Sequence, residues 1–221
     1  MLIKPGATLF SYAITRDFGF APNPFNGICS LATCKPQIRK HAKVGDWVMG
    51  VGGSKLKQCR RKCIFLMRVS EIVQFQQYWD DPRFSLKKPC RNGSQVQLLG
   101  DNIYHKAEDG SWVQEDSHHS NEDGSINEDN LKRDTGSTEN VLLSDYFFYF
   151  GENAVQVDLD LIGYKKIRGH KKTSLSPEVG GYKLITKMDS EYRSSKNVLL
   201  GDPISFEHSH KRVNQETGKI S

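Results

Sequence analysis

Residues 44–89 read VGDWVMGVGG, then a basic patch, then KCIFLMRVSEIV, then QFQQYWDDPRFSLKKP. The Gly45-Asp46 pair predicts a turn into an apolar strand over 47–51. A second apolar strand is predicted over 63–74. Residues 75–84 then form a short helix that Asp81-Pro82 caps or breaks. This order predicts two neighbouring strands of a small curved sheet with a basic, aromatic-rich rim. Such a rim suits a nucleic-acid base or a nucleotide better than a sugar or a lipid.

The rest of the chain extends that pattern. Residues 8–15, TLFSYAIT, alternate apolar and polar and predict a strand. Residues 16–27, RDFGFAPNPFNG, hold two prolines, two glycines and two asparagines that forbid regular structure. Their three phenylalanines are costly to leave in water, so an ordered loop is expected, and ordered loops often carry function. A short helix should follow Pro36. Residues 91–140 are mostly turn and loop material. Residues 141–150, VLLSDYFFYF, should be a buried strand, and GYKKIRGHKK at 163–172 a second basic loop. A period of two with short helices between strands argues for an α+β or mainly-β domain, a partly closed barrel rather than parallel βαβ units. We expect one α+β domain over 1–204. Its core spans about 8–90 and 141–204, with an acidic, loop-rich insertion over about 91–140 and a polar tail over 205–221.

Charge is blocked along the chain. Residues 1–100 carry 16 Lys and Arg against 5 Asp and Glu, residues 101–160 carry 3 against 15, and residues 161–221 carry 12 against 6. Basic segments are the usual electrostatic footprint for a phosphate backbone. The competing reading is that the blocks neutralise one another on one folded surface. No apolar run approaches the roughly 18 residues that a membrane helix needs, so no membrane association is expected. The first residues show no secretion signal. Five cysteines, an odd number in a chain of this length, favour a reducing, cytoplasmic setting.

Two resemblances follow from these motifs. Gly45, Asp46, Val69, Glu71, Tyr78 with Trp79, Asp81, Pro82 and Phe84 stand in an order that resembles the EVE branch of the PUA-like barrels, over about residues 8–90. That resemblance implies a mainly antiparallel, partly closed PUA-like β-barrel and recognition of nucleic acids, with modified bases as the ligand. The second resemblance is longer. SYAITRDFGFAPNPFNGICSLATCKPQIRKHAKVGDWVMG at 11–50, then DNIYH, QEDSHHS, LKRDTG, VLLSDYFFYFG and RGHK, together resemble the nucleotide modification associated domain family, second type. It implies a bacterial or phage-related setting beside systems that make or handle altered DNA bases.

Three constellations carry candidate chemistry. Arg16, Lys35, Arg39 and Lys40 can contact phosphate, while Phe18, Phe20 and Phe25 offer stacking faces; Asn23 and Trp47 join this nucleic-acid-binding set. The alternative is that the rings fill a barrel end and the cations are solvated. His105, Asp116, His118 and His119 form a candidate catalytic cluster, because imidazole and carboxylate groups suit acid–base work near neutral pH. His105, Asp116 and His118 could also make a two-His, one-carboxylate metal triad, or the histidines could simply tie irregular backbone together. Arg168, His170 and Lys171 lie in a basic turn suited to an anion, without Walker spacing.

The cysteines argue against structural zinc. Cys59 and Cys63 are four apart, but Cys29, Cys34 and Cys90 supply no second tight pair. No metal and no cofactor is expected. Cys29 is a possible nucleophile, although a plain buried cysteine is the more ordinary role.

The expected function is binding of nucleic acid or a nucleotide, with a modified base held in a basic, aromatic pocket. One alternative is an enzyme acting on a nucleobase through the His105, Asp116, His118 and His119 cluster, with Asp134 lining its site. Another is a protein partner docked on the acidic middle segment, within a modification or defence system.

Overall fold

The computed structural model describes residues 1–165 and 169–212. In chain order the elements are β1 (Thr8–Ile14), β2 (Cys29–Leu31), α1 (Pro36–His41), β3 (Trp47–Gly52), β4 (Cys63–Arg68), β5 (Glu71–Gln74), α2 (Phe75–Asp80), α3 (Gln95–Leu98), β6 (Tyr104–Lys106), β7 (Trp112–Gln114), α4 (Glu128–Thr135), β8 (Asn140–Ser144), β9 (Phe147–Tyr149), β10 (His170–Ser174) and α5 (Gly180–Tyr192).

The class is α+β. A five-stranded sheet runs β10-β1-β3-β4-β9, a three-stranded sheet runs β2-β8-β5, and β6 pairs with β7. The strands do not close a barrel: β9 and β10 end the larger sheet on opposite sides. Nor is the larger sheet wholly antiparallel, since β1 runs parallel to β3 with Leu9 opposite Trp47. A parallel pair needs a crossover of a dozen or more residues. Residues 15–46 provide it, and that crossover carries the NPF loop, β2 and α1.

The apolar runs at 63–74 and 141–150 each bend and serve both sheets. β4 joins the larger sheet while β5 pairs with β8 in the smaller one; β8 and β9 divide in the same way. At the bends, Ser70 N–H donates to Leu143 O at 2.8 Å, and Ser144 Oγ donates to Tyr146 O at 2.8 Å. Side chains alternate across a strand, so the two faces of the larger sheet pack differently. Phe10, Tyr12, Val48, Phe65 and Met67 face the smaller sheet, with Leu31 and Leu142. Leu9, Trp47, Met49, Leu66 and Phe148 face Leu184, Ile185 and Met188 of α5. Each such side chain contributes roughly 1.5–3 kcal/mol when fully buried. Backbones approach closely at Gly50, where a Cβ would lie 2.3 Å from the Phe65 ring and 2.4 Å from Ile14.

A third apolar cluster covers the outer face of the smaller sheet. Phe18, Phe20 and Phe25 of the crossover meet Val73, Phe75, Tyr78, Ile103, Tyr104 and Val141 there. Residues 91–140 wrap this cluster, which brings the acidic segment against the crossover. Residues 205–212 also pack on this side: Phe206 lies 5.8 Å from Phe25, and Arg212 donates to Asp116 at 2.6 Å. Among the described residues no helix is long and apolar enough to cross a membrane.

Candidate functional site

Cys34 sits between β2 and α1, immediately before Lys35 and Pro36. Cys34 has φ 57° and Lys35 has φ 41°, both in the left-handed region. That conformation costs a non-glycine residue about 1–2 kcal/mol. It is held from outside. Cys34 N–H donates to Asp134 Oδ1 at 2.8 Å, and Cys34 O accepts from Arg39 Nε at 2.9 Å. Pro36 adds only that Lys35, the residue before it, avoids the right-handed helical region.

The acidic segment supplies the other half. His119 Nδ1 lies 2.9 Å from Asp134 Oδ2, and its Nε2 lies 3.8 Å from Cys34 Sγ. Tyr104 OH donates to Asp134 Oδ2 at 3.0 Å, and Arg133 Nε donates to Oδ1 at 3.0 Å. Asp134 and His119 are buried. Burial alone would raise the Asp134 carboxyl, yet His119 and Arg133 hold it well below the usual carboxylate range. Burial works against the charged imidazole of His119, and Asp134 and Cys34 more than offset it, so its pKa is raised. Burial pushes the Cys34 thiol up, while His119 and Arg133 pull it down further, leaving it below its ordinary value. The imidazole of His119 therefore stands between two groups that favour its charged form, Asp134 and Cys34, and it offsets for Cys34 the repulsion that Asp134 exerts on a thiolate.

This row opens onto a cavity of about 210 Å³. Phe18, Phe20 and Tyr12 contribute rings to its wall, and Arg16, Lys35 and Arg133 contribute cations. The Lys35 Nζ stands 4.6 Å over the Tyr12 ring. Gly19 has φ +76°, and a Cβ there would lie 2.7 Å from Pro203 and 2.9 Å from Phe25. That turn puts Phe18 and Phe20 on the same wall. His118 packs between them, with ring centroids 4.5 and 5.2 Å away. Burial, with His119 adding to it, pushes the His118 pKa down to about 3, so the ring is neutral. Among the described residues, His118 Nδ1 and Tyr12 OH are buried and find no hydrogen-bond partner. A second cavity of about 330 Å³ shares Cys34, Lys35 and Arg133 with the first and reaches Gly169 and His170.

Several residues singled out in the sequence lie elsewhere. Arg39 is buried, and its guanidinium is consumed by the Cys34, Asn140 and Asp134 carbonyls. Asn23, the first residue of the NPF motif, is buried, and its Oδ1 accepts from Lys87 Nζ at 2.6 Å. Phe25 packs on Phe206, and Trp47 lies in the α5-facing core. Lys171 lies opposite Ser11 on β10, and Arg168 falls outside the described residues. The histidine cluster divides. His105 accompanies Glu115 at 2.8 Å and stacks on Trp79 at 4.0 Å, and Asp116 binds Ser120 and Arg212. Only His118 and His119 line the cavity, so the His105, Asp116 and His118 triad is not assembled. Among the described residues no group of three or more His, Cys, Asp or Glu side chains is placed to hold a metal ion.

Cys34, Arg133 and Tyr104 escaped the sequence reading as site residues. His119 and Asp134 are 85 and 100 positions from Cys34. The one local signal was Cys-Lys-Pro, in which the proline keeps the lysine before it out of right-handed helical geometry.

No curated protein and no solved structure matches the chain. From residue 6 to residue 210 it matches the model of nucleotide modification associated domain 2, and it belongs to that family.

Proposed function

We propose that the protein binds a nucleotide, free or within a strand, by seating its base in the recess walled by Phe18, Phe20 and Tyr12. Lys35, Arg16 and Arg133 supply the positive charge that a phosphate requires. The observation that carries this reading is the meeting of three rings and three cations on one cavity. At about 210 Å³ the cavity falls below the roughly 300–1,000 Å³ of sites for drug-sized ligands, so it suits one heterocycle. Two polar atoms on wall residues, Tyr12 OH and His118 Nδ1, are buried without a partner among the described residues, and a small shift of either ring would offer it to a base edge or its water. Burying such atoms unpaired costs roughly 1–3 kcal/mol each. The family's association with nucleotide modification points to a base carrying an added substituent.

Fluorescence anisotropy tests the reading. Labelled single-stranded oligonucleotides, plain and with 5-hydroxymethylcytosine, are titrated at low salt, with the mononucleotides as competitors. Saturable binding at micromolar protein, weakened by Lys35→Ala, is expected. Absence of binding to every one of these ligands overturns it.

A further inference from the structure

We propose that Cys34 is a catalytic nucleophile, with His119 as its acid–base partner and Asp134 as the group that orients the imidazole, and that the three hydrolyse a C–N bond at an amide or amidine carbon of the bound ligand. The assignment deepens the nucleotide reading by giving the recess a reaction.

The arrangement has the parts that nucleophilic catalysis requires: a thiol, a base within reach of it, and a third group fixing the base. His119 presents Nε2 to Cys34 Sγ at 3.8 Å and Nδ1 to Asp134 at 2.9 Å. Asp134 also fixes the cysteine itself, because its other oxygen accepts the Cys34 N–H. One carboxylate thus sets the imidazole and the nucleophile's backbone together. The strained Cys34-Lys35 backbone is a second mark of such a position, since left-handed non-glycine residues cluster at functional sites. The other groups around the thiol are Arg133, Lys35, Arg39 and Tyr12. Cys34 is half-buried and lines both cavities, whereas Cys29, Cys59 and Cys63 are buried and Cys90 is on the surface.

The step needs only water. The Cys34 thiolate adds to the carbon of a C(=X)–N group, where X is oxygen or nitrogen. The C–S bond forms, and the π pair moves onto X beside the cations. When that pair returns, the C–N bond breaks, and the leaving amine takes its proton from His119 Nε2. Water then attacks the thioester or thioimidate carbon and gives a proton to His119. The C–S bond breaks, and the thiolate is restored. An amide yields a carboxylic acid and an amine, with no change of oxidation state.

The thiol is tested without knowing the ligand. The wild-type protein is treated with iodoacetamide from pH 5.5 to 9, and each cysteine is followed by mass spectrometry, with exposed Cys90 as the internal comparison. Cys34 should outpace Cys90 at pH 6 by about tenfold or more, because the thiolate is the reactive form. His119→Asn should abolish that lead. p-Nitrophenyl acetate should give a burst and an acetyl adduct on Cys34 that His119→Asn clears more slowly. Equal rates for Cys34 and Cys90 at pH 6 in the wild type overturn the proposal, even if the variant fails to fold. So does an unchanged lead in a folded His119→Asn protein. The two readings separate cleanly. Fast Cys34 alkylation without nucleotide binding leaves the nucleophile standing and removes the nucleotide. Nucleotide binding with an inert Cys34 does the reverse.

Discussion

Asp134 Oδ1 accepts the main-chain N–H of Cys34 at 2.8 Å, across 100 residues of sequence. That one bond ties the acidic segment to the crossover between β1 and β3. The same carboxylate serves His119, Tyr104 and Arg133. Asp134→Ala therefore leaves several buried groups without their partner and should cost about 3–5 kcal/mol, the range for breaking a buried ion pair. Urea unfolding measures it. The Asp134 pKa is depressed in the folded state. Its stabilisation is thus present above the unfolded carboxylate value of about 3.9 and is lost as pH falls toward the lower folded value. The penalty of Asp134→Ala should be full at pH 6 and should shrink below about pH 4.

His118 works in the opposite sense to its neighbour. Its pKa falls to about 3 on folding, so below the unfolded value the unfolded chain binds the extra proton. Stability tied to this ring is present above about pH 6.5 and is lost as pH drops toward 3. Between pH 6.5 and 5 the loss amounts to about 2 kcal/mol, at 1.36 kcal/mol per pH unit. His118→Phe keeps an aromatic ring against Phe18 and Phe20 and removes the titration. Its urea midpoint should change less than that of the wild type when the pH goes from 7 to 5. Parallel shifts in the two proteins would contradict a buried neutral His118.

The strands at 8–14 and 47–52 were legible because their apolar runs are short, bounded by turns and carried by one sheet. The runs at 63–74 and 141–150 each read as one strand because nothing in their composition marks the bends near Ser70 and Asp145. Those bends follow from which partner each half meets, and partners are set by the whole chain. α5 was missed: it opens on Gly180-Gly181 and follows a segment read as basic loop. The same division holds at the site. The rings and cations of residues 16–35 are neighbours in sequence, so their local grouping was visible. The Cys34, His119 and Asp134 row is not local at all, and Asp116 and His118 drew attention only by adjacency. The acidic block was legible as charge, but its most consequential carboxylate is buried, beside Arg133 and beneath the guanidinium of Arg39.

Lys87 anchors the NPF loop from below. Its buried Nζ donates to Asn23 O at 3.0 Å, Asn23 Oδ1 at 2.6 Å and Ile28 O at 2.6 Å. Burial pushes its pKa down to about 8 despite Asp101 nearby. Lys87→Met preserves much of the stem and removes all three donors. Ile28 O then loses its partner, at roughly 1–3 kcal/mol before relaxation, while Asn23 O keeps the Ser30 N–H at 2.9 Å and Asn23 Oδ1 keeps the Phe25 N–H at 3.3 Å. We expect a loss of about 1–3 kcal/mol and faster proteolytic cleavage within residues 16–27. Unchanged cleavage would show that the loop is held by its phenylalanines alone.

Phe18 offers the most direct test of the recess, because its ring lines the cavity and packs at a tilt against His118 without entering the Cys34, His119 and Asp134 row. Stacking of a base on an aromatic ring contributes roughly 1–3 kcal/mol, and leucine keeps the apolar volume while removing the flat face. Phe18→Leu should therefore weaken nucleotide binding by about 5- to 150-fold. The Cys34 alkylation profile, which depends on charge rather than on rings, should stay as in the wild type. Phe25→Leu provides the contrast, since Phe25 packs on Phe206 away from the cavity. It should lower stability with little effect on affinity per folded molecule. If the two variants weaken binding equally, the ring wall beside Cys34 is not where the base sits.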